Sequence, residues 1–475
     1  MDKKMKQKHT GNKPKQQSTM KKKEEKQQQN ENHKSKSIYD ILPLELIHRI
    51  LFRVPLKDLG RLKCVSKLCN TLISDPDFAK LHLHLSAAPA HVCLFVYDDD
   101  SNAVSVDIDA AFHRHTAVKE VSLPLKMNTP FDFKVMCSCR GLLLLHRAPH
   151  FLIVWNPLIG SSKKVSYSHI VSRIHRKYFM FPDIACLYGF GYDALQDDYL
   201  VVVASQDKND QEHFDCLSLR TNSWTNLDFA LSKPLGTSNW QSRGFFLNGA
   251  IHWASFRFYS ILIFDLKERS FSTISMPEQV MGYLDPTHLI LLGGCLALYS
   301  CDSKETNIWV MKEYKVHSSW TFYQISHEDC VPLCLSNGSD IVALDSFLIS
   351  RLPCLYFAKY NVRGELLQLK YVQVPCRDWS RRYMVYTESL VPVPSEIKDK
   401  DKDKKKKNGR QNQKNDVKQE KRTRSECGTS IAECKKGSVR HATLAKEVAT
   451  NSGQMAADPQ IQGLRRSVRL RLRKR

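Results

Sequence analysis

Between residues 92 and 391 the chain repeats one pattern six times: an apolar strand, a polar turn, then a second strand. The copies read LFVYDDDSNAVSV from Leu94, LIVWNPLIGSSKKV from Leu152, FDCLSLRTNSWTNL from Phe214, ILIFDLKERSFSTI from Ile261, NIWVMKEYKVHSSWTFYQI from Asn307 and LYFAKYNVRGELLQL from Leu355. Successive starts lie 58, 62, 47, 46 and 48 residues apart. These runs are rich in branched and aromatic residues and are broken by Gly, Asn, Asp and Pro, as short strands are. An apolar run, a break and a second apolar run precede several copies: VMCSCRGLLLLH, GFFLNGAIHWAS and LILLGGCLALYS. Four strands per unit at a period near 47 residues predict the blades of a β-propeller, six of them. The first copy lacks an upstream strand. YMVYTESLV, residues 383–391, supplies one and closes the ring, which removes the free edges. A β-sandwich leaves the period unexplained.

Ahead of the repeats, residues 39–78 change period. Leu46, Ile47, Ile50, Leu51 and Val54 come at helical spacing, as do Val65, Leu68, Leu72 and Ile73. Pro43 suits a first helical position. Pro55 stops that helix, because a proline disfavours helical geometry in the residue before it. Helices are predicted over about 43–53, 56–62, 65–73 and 77–84. So much apolar surface on a piece so short calls for a partner to cover it.

At these residues the chain resembles the F-box. The family's fixed positions stand here as Leu42-Pro43, Glu45, Ile50-Leu51, Val54-Pro55, Cys64-Val65, Leu72-Ile73, Asp75-Pro76 and Phe78. The resemblance implies docking on a Skp-type adaptor and, through it, on cullin and RING subunits. The implied adaptor-binding set is Leu42, Pro43, Glu45, Ile50, Leu51, Val54, Pro55, Leu59, Val65, Cys69, Leu72, Ile73 and Phe78. One position departs: the family's third helix usually carries a tryptophan where this chain has Cys69. Aromatic residues often dominate interfaces, so adaptor affinity is expected to be lower.

Within the repeats, most of 135–326 is similar to the F-box-associated domain of plant F-box proteins. The motifs are Gly141-Leu142, Trp155-Asn156-Pro157, Tyr188 to Asp193 with Tyr199, Asn248-Gly249 with His252-Trp253, and Phe264-Asp265-Leu266. Trp309, Met311, Tyr314 and Ser319-Trp320 complete them. The resemblance implies a propeller that presents substrates. Physically these residues read as architecture rather than ligand contacts. Asn-Pro and Asn-Gly are turn dipeptides. Gly189, Gly191, Tyr192 and Asp193 read as tight bends beside aromatics, and Trp155, Trp253, Trp309 and Trp320 as wedges between blades. Asp265 and Tyr314 belong to the same structural set.

The formal charge of +22 sits at the ends. Residues 1–37 carry +8 and residues 394–475 carry +14, so 38–393 is neutral. Both tails are poor in apolar residues and are expected to be disordered. The arrangement is therefore a disordered basic tail over 1–37, an F-box over 38–84, a mainly β propeller domain over 92–393, and a second disordered basic tail over 394–475. The dense cationic runs at 398–414 and 464–475 read as nuclear-import or polyanion-binding segments, so nucleus and cytoplasm are the expected locations. The 15 cysteines are scattered and odd in number, without a CxxC. Cys137-x-Cys139 and Cys330-x3-Cys334 are the tightest spacings, with no zinc-finger histidine pair nearby. Reduced thiols in cytosol or nucleus are expected. No signal peptide is read at the start, and the longest greasy run, 289–299, is too short to span a bilayer.

No phosphate loop, HExxH or GxSxG elbow occurs. The histidines at 82, 84, 113, 115 and 146 are scattered, and no catalytic residue, metal site or cofactor is expected. The resulting expectation is a non-catalytic substrate receptor of a Skp-cullin-F-box ubiquitin ligase, with an unidentified protein substrate and no membrane. The alternative is a nuclear nucleic-acid-associated scaffold acting through its tails. Those tails can release counterions from phosphate but lack aromatics for stacking.

Overall fold

The computed structural model describes residues 42–394 apart from 86–90, 97–101, 114–116, 125–132, 148–150, 175–185, 228, 230–240, 256, 283–286, 302–303, 328–329, 350–351 and 373–382. Both basic tails lie outside the described residues. Four helices open the described part of the chain: α1 Leu44–Leu51, α2 Leu56–Leu62, α3 Lys67–Ile73 and α4 Pro76–Leu85. Pro43 and Pro55 sit at the N-caps of α1 and α2, where a missing N–H costs nothing. Ser66 caps α3 by accepting from the Cys69 N–H at 3.0 Å.

Six four-stranded antiparallel sheets follow. The first contains β1 His91–Val96, β2 Asn102–Asp107 and β3 Val118–Ser122, with α5 Ile108–His113 between the last two. The second is β4 Phe133–Cys139, β5 Leu142–Arg147, β6 Phe151–Trp155 and β7 Ser162–Ser166, followed by α6 Ser168–Arg173. The third is β8 Cys186–Asp193, β9 Asp198–Gln206, β10 Glu212–Ser218 and β11 Ser223–Leu227. The fourth is β12 Phe245–Leu247, β13 Ala250–Ser255, β14 Ser260–Asp265 and β15 Ser270–Ser275. The fifth is β16 His288–Leu292, β17 Cys295–Cys301, β18 Thr306–Met311 and β19 Trp320–Ile325. The sixth is β20 Cys330–Ser336, β21 Asp340–Ile349, β22 Leu352–Tyr360 and β23 Leu366–Val372. A last strand, β24 Tyr383–Thr387, returns to the first sheet and pairs antiparallel with β1, Val92 opposite Tyr386. The expected six blades and the expected closure by the C-terminal strand are both present.

A strap completes the closure. Asn156 donates its side-chain amide to the carbonyls of Ser389 and Val391 at 2.9 and 2.8 Å, while its own oxygen accepts from the Leu158 N–H at 2.9 Å. Val393 N–H reaches Ser161 Oγ at 3.1 Å. Asn156 is fully buried, so its two bonds to the strap carbonyls are made away from water.

The blades are held apart and together by large side chains. Trp155 of the second blade packs in one cluster with Val92, Leu94, Met384 and Tyr386 of the first. Trp253 of the fourth sits among Leu187, Val202 and Phe214 of the third, and its indole donates to the Tyr188 carbonyl at 3.0 Å. Trp309 of the fifth packs on Ala250 and Ile261 of the fourth, with Trp320 and Tyr314 partly buried beside it. The tryptophans therefore wedge between blades as their size demands.

Gly189 and Gly191 are different from the expectation. They lie within strand β8 and make no bend. A Cβ on Gly189 would stand 2.6 Å from Trp253 Cζ2, and one on Gly191 would stand 2.6 Å from Leu266 Cδ1. These glycines exist because the next blade comes too close for any side chain. The Asn248-Gly249 turn does have the predicted form, with φ of 50° and 77°, the left-handed pair of a two-residue hairpin.

Gly189→Ala should overpack this junction and lower stability by about 1–3 kcal/mol. Gly60→Ala, in α2 with no neighbour within 4 Å of its would-be Cβ, should leave stability unchanged or raise it by up to ~1 kcal/mol. Denaturant melts of the two variants check this; equal midpoints would show that the β8–blade-four contact is not tight.

Candidate functional site: a two-faced helical module on one propeller face

Helix α1 is apolar on two sides. Ile47 and Leu51 point inward and are buried. Leu46 and Ile50, one turn apart on the other side, are 42% and 54% exposed, and Leu44 is 46% exposed. Pro43 and Glu45 are exposed beside them. Val65, after α2, is 71% exposed. An apolar helix that shows half its hydrophobic side chains to water is built for a partner.

The inner side joins the propeller. Ile47, Leu51, Leu59, Ile73 and Phe78 share one core cluster with Leu142, Leu219, Leu390, Val391 and Val393. Leu42, Val54, Cys69 and Leu72 pack partly buried against it. Phe52 and Phe78 stack with centroids 4.8 Å apart. His82 is buried and bonds the Val54 carbonyl at 3.1 Å, so it staples α4 to the end of α1. Of the residues expected at the adaptor, Pro43, Glu45, Ile50, Pro55 and Val65 lie on the surface. Leu51, Leu59, Ile73 and Phe78 lie in the core beneath it.

Polar contacts fix the same junction. Lys57 pairs with Asp107, and Lys80 with Asp197. Arg140 reaches His84 at 3.0 Å and lies over the Tyr192 ring at 4.0 Å. Tyr192 donates to Asp197 at 2.6 Å. Burial and that bond push the Tyr192 phenol up to about 12. Burial acts to raise the Asp197 carboxyl, but its bonds from Lys80 and Tyr192 outweigh this and hold it low. Sequence reasoning named Tyr192 only as architecture and missed Lys57, Lys80, His84, Arg140, Asp107 and Asp197. Residues 50 and 117 positions apart leave no local pattern to read.

Every one of these contacts falls on one propeller face. In an antiparallel blade the first-to-second and third-to-fourth turns share a face, and the remaining connections share the other. Arg140 and Asp197 lie at first-to-second turns, and Asp107 lies at the end of a third strand. The strand ends from which the chain passes from one blade to the next, such as Ser122 of β3, Ser166 of β7 and Ile325 of β19, therefore lie on the opposite face.

The remaining motif residues hold the scaffold. Asp193 accepts from Leu195 N–H at 3.0 Å and pairs with Arg269 of the next blade at 3.0 Å. Asp265 caps its turn through Lys267 and Glu268 N–H, both at 2.9 Å. Pro157 is buried after Asn156. His252 bonds the Phe245 carbonyl at 3.1 Å and the Tyr314 hydroxyl at 2.9 Å. Cys137 and Cys139 are buried in β4, and burial pushes the Cys137 thiol up to about 12, which leaves it inert. The cysteines whose side chains are described are free thiols. Among the described residues no helix is long and apolar enough to cross a membrane.

Burial lowers His252 to about 4 from its usual 6.5, against the opposing bond to Phe245 and with help from Lys315. A histidine held neutral in the fold takes up a proton more readily once unfolded. Its contribution is intact above pH 6.5 and is lost as pH falls towards about 4. His252→Gln offers one amide donor and one acceptor in place of the two ring nitrogens and does not titrate. Its stability should fall less steeply than wild type over that window in denaturation curves, and parallel curves would clear His252 of any part.

Comparison with known proteins places both halves. Residues 94–393 match the family described as "F-box associated beta propeller domain", and residues 40–81 match the F-box domain. The chain is 30% identical to F-box protein CPR1 of Arabidopsis thaliana over 307 residues, covering 59% of this chain and 71% of that one. It is 29% identical to the putative F-box protein At3g16210 of Arabidopsis thaliana over 248 residues, or 51% of this chain and 62% of that one. It is 28% identical to F-box/kelch-repeat protein At3g23880 of the same plant over 295 residues, or 59% and 78%. A helical F-box seated on a closed six-bladed ring, with both family signatures in chain order, makes this chain a member of the F-box proteins that carry an F-box-associated β-propeller.

Proposed function

We propose that the chain is a substrate receptor of a Skp-cullin-F-box ubiquitin ligase, and that it is itself non-catalytic. One observation carries the reading: α1 buries Ile47 and Leu51 on the propeller while presenting Leu46 and Ile50 to solvent. A Skp-type adaptor covers that outer face. The propeller is then fixed at a set angle by the Lys57–Asp107 and Lys80–Asp197 pairs. Target proteins bind the opposite face, because binding residues tend to sit where a rigid scaffold passes from one element to the next. The ubiquitin-transferring cysteine belongs to another subunit. The basic tails serve nuclear import, which a fluorescent fusion of residues 38–393 beside the full chain tests directly.

The docking test separates surface from core. Leu46→Ala and Ile50→Ala remove exposed side chains, so both variants should melt within about 0.5 kcal/mol of wild type. As central interface residues, each should weaken capture of a purified Skp-type adaptor by about tenfold or more. Leu51→Ala should instead destabilise the fold by about 2–5 kcal/mol. Undiminished adaptor binding by the Leu46/Ile50 double variant would overturn the reading.

A further inference from the structure

We propose that His327, Cys330 and Asp345 form a binding site for a divalent cation of borderline softness, Zn(II) above all. The three side chains meet where blade six begins. Cys330 opens β20 and stands directly opposite Asp345 of β21 in the register. His327 lies in the connection from β19. Their ligand atoms all fall within 4.8 Å of one another. His327 Nδ1 is 3.6 Å from Cys330 Sγ and 3.5 Å from the Asp345 carboxylate.

The two separations from His327 Nδ1 match two edges of a metal's coordination shell. Bonds of about 2.3 Å to sulfur and about 2.0–2.1 Å to nitrogen and oxygen, at tetrahedral angles, put S···N near ~3.5 Å and N···O near ~3.3 Å. The donor set of one thiolate, one imidazole and one carboxylate suits Zn(II) and excludes Mg(II) and Ca(II), which take oxygen. The same atoms do not make a nucleophile–base–acid relay. In such a relay the two partners use different ring nitrogens. Here the thiol and the carboxylate both face one nitrogen, Nδ1, and the thiol also hydrogen-bonds the carboxylate, so the three donors stand in mutual contact as they do around a shared cation.

The surroundings hold the ligands in place. Thr306 Oγ1 donates to the His327 carbonyl at 3.1 Å, and His327 N–H bonds the Ile325 carbonyl at 2.8 Å. Cys301 Sγ donates to the Cys330 carbonyl at 3.4 Å, and the Tyr360 hydroxyl lies 3.3 Å from Cys330 Sγ. Cys330 and Asp345 are buried, whereas the His327 side chain is 33% exposed and leaves an entry path. Three protein ligands leave the fourth position open to water or to a donor from a bound protein. The site lies on the propeller face away from the helical module, at the connection into blade six. It stands whether or not the adaptor docks.

The test uses the full-length chain, stripped with a chelator and then titrated with Zn(II) or Co(II) alone. One equivalent of Zn(II) should bind and raise the melting temperature. Co(II) should give a thiolate-to-metal charge-transfer band in the near ultraviolet. Cys330→Ser should abolish that band. His327→Ala changes a part-exposed turn residue, so it should fold normally and weaken Zn(II) binding at least tenfold; it decides the matter if Cys330→Ser does not fold. No Zn(II) uptake by the folded chain would overturn the site. So would uptake and a Co(II) band unchanged in the His327→Ala variant.

Discussion

The antiparallel pairing of β24 with β1 is the constraint on which the rest depends. Without it the first blade has three strands and the sixth has an open neighbour. A propeller blade cannot bury its faces alone, so an open ring exposes two apolar sheet faces and two unpaired edges. The segment after β24 then does a second job. Asn156 takes the carbonyls of Ser389 and Val391, and Leu390, Val391 and Val393 enter the same cluster as the inner side of the helical module. Ring closure thus builds the floor on which the F-box sits. It links the last described residues of the chain to the first.

From that floor the division of labour follows. The helical module has too few apolar residues to fold against itself, and it borrows blades two and three for one side. The other side keeps Leu44, Leu46 and Ile50 for a partner. Ion pairs from Lys57 and Lys80 are partly exposed and add little stability, but they fix rotation about the apolar contact. A rigid seat of this kind sets the distance and angle between whatever binds α1 and whatever binds the far face.

Much of this was legible in the sequence, for stated reasons. A repeat near 47 residues with four apolar runs leaves few architectures open, and an unpartnered first copy beside a spare last strand implies closure. Indole rings that cannot be left in water had to lie between blades. Other features were not legible. The spacing of Leu46, Ile47, Ile50 and Leu51 marks a helix greasy all round, but it does not say which side meets the chain's own core. Gly189 and Gly191 read as bends because small residues beside aromatics often are; only the position of Trp253 and Leu266 on the next blade reveals them as points of close approach. His327 and Cys330 are near in sequence, but Asp345 joins them only through strand register.

The central claim is that one side of α1 belongs to the propeller and the other to an adaptor. Hydrogen–deuterium exchange of the full chain, with and without a saturating Skp-type adaptor, tests it most directly. The adaptor should slow exchange in α1 and in the segment around Val65, and leave the blade strands, β24 and the Ser389–Val393 strap unchanged. Protection that falls on the blades, or none at α1 with adaptor bound, would contradict it.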